Sequence, residues 1–139
     1  MKQVTREITV ATRGKGLYEC TEQAAAFVRD AGISTGLLTA FIRHTSASLV
    51  IQENADPDVV ADLSEFFSRL VKESDTWYRH HAEGPDDMTS HIRSALTQTS
   101  IVIPIYQGRL SFGTWQGLFV FEHRAVPHQR KVMLHVSGE

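Results

Sequence analysis

Apolar residues along this chain recur at two periods, and the switches between them mark out strands and helices. From Gln3 to Ala11, Val4, Ile8 and Val10 share one parity, which predicts a strand. Arg13-Gly14-Lys15-Gly16 reads as a turn. Ala24, Phe27, Val28 and Ala31 then form a helical stripe, with Thr21 placed to cap its start and Gly32 its end. Gly36 to Arg43 is apolar on both parities, which predicts a strand covered on both faces. The small, hydroxylated run Thr45-Ser46-Ala47-Ser48 continues as strand through Leu49-Val50-Ile51. Asp56 as cap and Pro57 as first helical residue open the clearest helix. Its stripe of Val59, Val60, Leu63, Phe66, Phe67, Leu70 and Val71 is expected to pack in the core.

A short helix is expected from Thr89 to Leu96, with Ile92, Ala95 and Leu96 facing inward and His91 in its first turn. The last third is β-patterned. Ser100–Tyr106 forms a strand whose Pro104 points to an edge or bulge. Gln107-Gly108 turns it into Arg109–Phe112. Gly113-Thr114-Trp115-Gln116-Gly117 interrupts the pairing. Leu118–His123 resumes it, with Leu118, Val120 and Glu122 on one face and Phe119, Phe121 and His123 on the other. Lys131–Ser137 is the final strand. This order predicts an α+β fold: one domain over residues 1–139, with largely antiparallel sheets and two or three helices.

Composition narrows the function classes. A net charge of −2 lacks the basic excess of a broad nucleic-acid-binding face. No stretch approaches the ~18 apolar residues of a membrane span, and the N-terminus has no apolar signal core. The single cysteine, Cys20, forms no intrachain disulfide and fits a cytoplasmic location.

Candidate chemistry concentrates between Tyr78 and His91, where 14 residues hold three histidines, one glutamate and two adjacent aspartates. Unless the segment is a plain polar loop, such a density calls for a cation, an anionic ligand or a partner residue to offset mutual repulsion. His44 continues the buried parity of Leu38, Ala40 and Ile42, so it is either a core-edge histidine held by a backbone partner or a site residue beside Thr45 and Ser46. Glu53 and Asn54, unlike Asp56, have no capping role and are candidates for catalysis and substrate binding. Three imidazoles, His44, His80 (or His81) and His91, are the donor types of an open zinc site. Asp86 and Asp87 are the donor types for magnesium carrying substrate phosphates. Arg109 and Arg124 are candidate phosphate clamps.

Four segments, His44-Thr45-Ser46-Ala47-Ser48-Leu49, Gln52-Glu53-Asn54-Ala55-Asp56-Pro57, Glu83-Gly84-Pro85-Asp86-Asp87-Met88 with His91-Ile92, and Gly113-Thr114-Trp115-Gln116-Gly117 with Glu122-His123-Arg124, closely resemble the YjbQ-like family. Thr89 departs from it, since the family commonly has proline there, and the apparent variability of His81 favours His80 as the functional imidazole. The resemblance implies a homotrimer acting as a secondary thiamine-phosphate synthase. Such a transferase couples hydroxymethylpyrimidine diphosphate to thiazole phosphate and releases diphosphate. The expected partner is therefore a small phosphorylated metabolite, and the expected cofactor a divalent metal, magnesium or zinc. The candidate catalytic residues are His44, Glu53, Asp87 and His91. Thr45, Ser46, Asn54, Arg109, Gln116 and Arg124 are candidate substrate contacts, and His44, His80 and His91 candidate ligands. Two rival expectations are a zinc-dependent hydrolase and a trimeric protein that binds an anionic metabolite without turnover.

Overall fold

The computed structural model describes residues 1–139. Its elements in order are β1 (Lys2–Thr12), β2 (Gly16–Glu19), α1 (Thr21–Ala31), β3 (Gly36–Ile42), β4 (Ala47–Glu53), α2 (Pro57–Leu70), α3 (Asp87–Leu96), β5 (Ser100–Tyr106), β6 (Arg109–Leu110), β7 (Gln116–Glu122) and β8 (His128–Gly138). The fold is α+β. A five-stranded sheet, ordered β1-β8-β3-β5-β6, faces a three-stranded sheet, ordered β2-β7-β4, and every pairing is antiparallel.

One core of 20 buried residues lies between the sheets and α1. It takes Leu38, Ala40 and Ile42 from β3, Val132, Leu134 and Val136 from β8, and Leu118 and Val120 from β7. β7 is central in its sheet and buried on both faces. Phe121 packs edge-on against Phe67 of α2, so α2 lies outside the smaller sheet.

Most sequence expectations hold, and the departures have identifiable causes. Asp56 caps α2 by accepting from the Asp58 N–H, as expected. Thr21 is the first residue of α1 rather than its cap; its hydroxyl donates to Glu19 and accepts from the Leu118 N–H, tying α1 to β7. Gly32 ends α1 in the left-handed region, at φ 68°. α3 starts at Asp87, two residues before the expected Thr89, which puts His91 in the second turn.

Three apolar faces expected to be covered are open; on α3, Ala95 and Leu96 are exposed, and Ser90, Arg93 and Ser94 are the buried side instead. No residue of α2 is buried, and Phe66 and Leu70 are more than half exposed. On β3, Leu37 and Phe41 keep 46% and 49% of their surface, because the outer face of the five-stranded sheet carries no further layer. Periodicity shows that a face is apolar; it does not say what covers it.

At the edge nearest the C-terminus, β3 and β8 approach so closely that only glycine fits. A Cβ on Gly36 would stand 2.1 Å from the Ser137 carbonyl oxygen and 2.8 Å from the Gly138 Cα. Both obstacles are backbone, so Gly36→Ala is expected to lower stability by roughly 2 kcal/mol or more. A melting temperature equal to that of the parent would show that these strands separate freely.

Candidate functional site

The site lies where β4 begins and β7 ends, Ala47 pairing with Glu122. Glu122 is fully buried yet charged, so it needs partners. It has them from β1, from β8 and from the backbone just beyond the end of β7. Its Oε1 accepts from the Thr12 hydroxyl at 2.6 Å and the Arg130 Nε at 2.7 Å. Its Oε2 accepts from Arg130 Nη2 and from the backbone N–H groups of His123 and Arg124. Burial alone would raise the carboxyl pKa; the Arg130 and Thr12 hydrogen bonds outweigh it and hold the pKa below its ordinary value.

With its backbone fixed in this way, Arg124 reaches α3. Its guanidinium donates to Asp86, to Asp87 Oδ1 and to the Glu83 carbonyl. Asp86 Oδ2 also accepts the Ala125 N–H at 2.7 Å. Burial opposes ionisation of Asp86, but the Ala125 N–H and Arg124 leave its pKa lowered. Asp86 therefore anchors a loop and is not free to share a cation with Asp87.

Asp87 presents its other oxygen to two histidines. Oδ2 lies 2.6 Å from His80 Nε2 and 3.1 Å from His91 Nε2. Asp87 and His91 are four residues apart on α3 and so share a face, while His80 comes from the preceding loop. One donor atom from each of the three lies within 4.8 Å of the others. Asp87 is buried, His91 is partly buried and His80 is exposed, so the cluster opens outward. Burial would raise the Asp87 pKa, but the His80 contact and Arg124 lower it on balance.

The tautomer of His91 is decisive. Its Nδ1 lies 2.9 Å from the Thr45 carbonyl oxygen, which can only accept, so Nδ1 carries the hydrogen. In a neutral ring Nε2 then presents a lone pair to the carboxylate oxygen 3.1 Å away. That contact is repulsive unless a second proton or a metal cation lies between them. A ring N–H donating to a backbone carbonyl, which leaves the other nitrogen as a lone pair, is also how metal-ligating histidines are oriented. The donor set of two imidazoles and one carboxylate fits zinc better than magnesium.

The model for the UPF0047 protein YjbQ-like family matches residues 6–139. The chain belongs to that family. A UPF0047 protein of Synechocystis is 59% identical over 95% of this chain and 90% of its own length. YjbQ of Escherichia coli O157:H7 is 38% identical over 96% of this chain and 97% of its own. The crystal structure of a YbjQ-like protein from Sulfolobus solfataricus superposes with a TM-score of 0.90 over 99% of both chains, at 24% identity, a likeness of fold. The resemblance carried by the four segments is thus confirmed.

Within this YjbQ-like chain the expected site residues fall into two groups at opposite ends of β4. Seven strand residues separate them, roughly 20 Å at ~3.3 Å per residue. Near the cluster lie Thr45, Ser46 and Arg124, with Ser46 Oγ accepting from Arg130. At the far end Glu53 pairs with Gln116 in register, and Asn54 donates to Glu19. Arg109, on β6, lines a cavity with Thr21 of α1. The far group therefore stands apart from the histidines in a single chain.

His44 does not join the metal-type cluster, contrary to the expected trio of His44, His80 and His91. Its Nε2 accepts the Lys131 N–H at 2.7 Å and so offers no lone pair to a metal. Asp87 takes the third position instead. Burial, then the charge of Arg130, lowers the His44 pKa and keeps the ring neutral. His80, not His81, meets Asp87. Glu122 and Arg130, which hold the whole arrangement, were not singled out from sequence; a charged parity partner of Leu118 and Val120 was the available signal.

Behind the cluster, His123 is buried and its Nε2 pairs with Ser48 Oγ at 2.9 Å, while Nδ1 has no partner. Burial, reinforced by Arg93, pushes its pKa down to about 3 from 6.5. Below pH 6.5 the unfolded chain takes up a proton that the folded chain refuses until about pH 3. Stability from this residue is therefore complete above pH 6.5 and falls as pH drops through that window, by about 1.4 kcal/mol per pH unit. Thermal melts from neutral to mildly acid pH are expected to flatten in His123→Gln, which keeps a donor towards Ser48. An unchanged slope would assign the acid sensitivity elsewhere.

Proposed function

We propose that the protein is a metal-dependent enzyme acting on a small phosphorylated metabolite, with His80, Asp87 and His91 holding the divalent cation. The observation that carries this reading is the His91–Asp87 contact, which the Thr45 carbonyl makes repulsive for a neutral ring without a cation. A cation bound there supplies charge that stabilises a departing phosphate or diphosphate.

The chain's own groups suit the task around it. Arg124 fixes Asp87, so the carboxylate keeps its orientation as substrate arrives. A cavity of about 420 Å³ adjoins the cluster, sharing His80 and lined by Ser74, Thr76, Tyr78 and Met88. Its size lies within the usual range for small-molecule sites. His44, neutral and with its Nε2 held by Lys131, keeps the Nδ1 hydrogen for donation.

The reaction proposed first is the one the family resemblance implies: coupling hydroxymethylpyrimidine diphosphate with thiazole phosphate to form thiamine phosphate. A second reading, a zinc-dependent hydrolase, is favoured by the histidine-rich donor set. Metal content and both activities are to be measured on the parent, His91→Ala and His44→Ala. The parent and His44→Ala are expected to hold about one divalent metal per chain. His91→Ala is expected to lose the metal and at least ~100-fold in turnover. Metal-dependent diphosphate or phosphate release without coupling would select the hydrolase. Equal metal content and equal rates in parent and His91→Ala would discard the site.

The open apolar faces of β3 and α2 support assembly into the expected homotrimer. Phe41→Glu, which places charge on the outer sheet face, is expected to shift the sedimenting species towards monomer. A trimer that survives this change would exclude that face as the contact.

A further inference from the structure

Two carboxylates face His80, and the chain holds them very differently. Asp87 keeps only 3% of its side-chain surface, and Arg124 donates to its Oδ1. Its Oδ2 lies 2.6 Å from His80 Nε2. Glu83 turns its Oε2 to the same nitrogen from 3.8 Å, with 66% of its side chain exposed. That separation is longer than a hydrogen bond, and no donor of the chain grips the Glu83 carboxylate.

Only the backbone of Glu83 is fixed. Its carbonyl accepts from Arg124 Nη2 at 3.0 Å, and Gly84 then turns the chain at φ 107°, where a larger residue would be strained. Arg124 therefore places both acids. It grips Asp87 by the carboxylate and Glu83 by the main chain, which leaves the Glu83 carboxylate free to swing.

His80, Asp87 and His91 supply three donors, so a tetrahedral zinc site built on them has one open position. Donors placed ~2.1 Å from such an ion stand ~3.4 Å from one another. The His91–Asp87 separation is 3.1 Å and the His80–Glu83 separation 3.8 Å, on either side of that value. A short swing of an unheld side chain is thus enough to bring Glu83 into the open position. The substrate needs that position too. His80 and Gly84, the residue after Glu83, both line the cavity that adjoins the cluster.

We propose that Glu83 is a displaceable fourth donor, which occupies the open position while the cavity is empty and yields it to an oxygen of the arriving substrate. The inference rests on the cation reading above and adds a regulation of that site. An exposed carboxylate suits the role, because it regains its hydration when it leaves. Asp87, buried and gripped by Arg124, stays in place throughout. The arrangement retains the cation between turnovers and weakens any ligand that competes with Glu83.

Zinc and cobalt are to be titrated by calorimetry into the full-length parent, Glu83→Gln, Asp75→Asn and His91→Ala. Bound cobalt is followed by its visible absorption, which reports the number and type of its donors. Glu83→Gln is expected to bind either cation ~10-fold more weakly than the parent and to shift the cobalt spectrum. With inorganic phosphate at saturation the two spectra are expected to coincide, because Glu83 has then left the parent's site. Phosphate is expected to bind cobalt-loaded Glu83→Gln ~10-fold more tightly than the loaded parent. Asp75→Asn removes a charge from the same cavity without removing a donor, and is expected to match the parent in cation affinity and spectrum. Glu83 is exposed, so its variant keeps the fold, and parent-like melting verifies this.

Parent-like affinity and spectrum in Glu83→Gln would overturn the role of Glu83 alone, provided His91→Ala has lost the metal. An equal loss of affinity in Asp75→Asn would overturn it as well, since charge and not coordination would then be the cause. Spectra that still differ with phosphate bound would make Glu83 a permanent ligand and overturn its displacement. A parent that binds cations no better than His91→Ala would overturn this inference and the cation reading together.

Discussion

The Glu122–Arg130 pair holds the site end of the molecule together. Glu122 belongs to the three-stranded sheet, whereas Arg130 and Thr12 belong to the five-stranded one. The same carboxylate accepts the backbone N–H groups that aim Arg124 at α3. A buried carboxylate deprived of its cation typically costs 3–5 kcal/mol. Here the loss would reach beyond stability, since Asp86, Asp87 and the two histidines take their positions from the segment Glu122 fixes.

The fold was readable wherever the signal was local. The alternation of Leu118, Val120 and Glu122 against Phe119, Phe121 and His123 assigned both faces of β7 correctly. Asp56-Pro57 located the start of α2, and Gly32 the end of α1. The errors came from long-range partners. α3 begins at Asp87 because Arg124 and Ala125, nearly forty residues later in the chain, hold the adjoining aspartates. The short strand β2 exists through its pairing with β7, and its own sequence carried little alternation.

The site was half legible. Asp87 and His91 were candidates by residue type, and their spacing of four becomes a shared helical face once α3 is seen to start at Asp87. His80 could not be placed, because an irregular loop carries it. His44 illustrates the limit of parity. Its position at a buried strand end was read correctly, but the Lys131 N–H that occupies its Nε2 belongs to β8. Within one chain Asn54 and Gln116 lie apart from the histidines, because both ends of β4 carry polar motifs.

Being central and buried on both faces, β7 also acts as a ruler. Gln116 stands at one end of it and Glu122 at the other, and the two are locked in one register against β4. Side chains alternate with period two, so a one-residue deletion within β7 would turn every later side chain over. His123 would then face Thr12 and Arg130, and the carboxylate of Glu122 would enter the aromatic layer beside Phe67. A length change inside this strand is therefore ruinous, and the spacing between its two ends acts as a fixed unit.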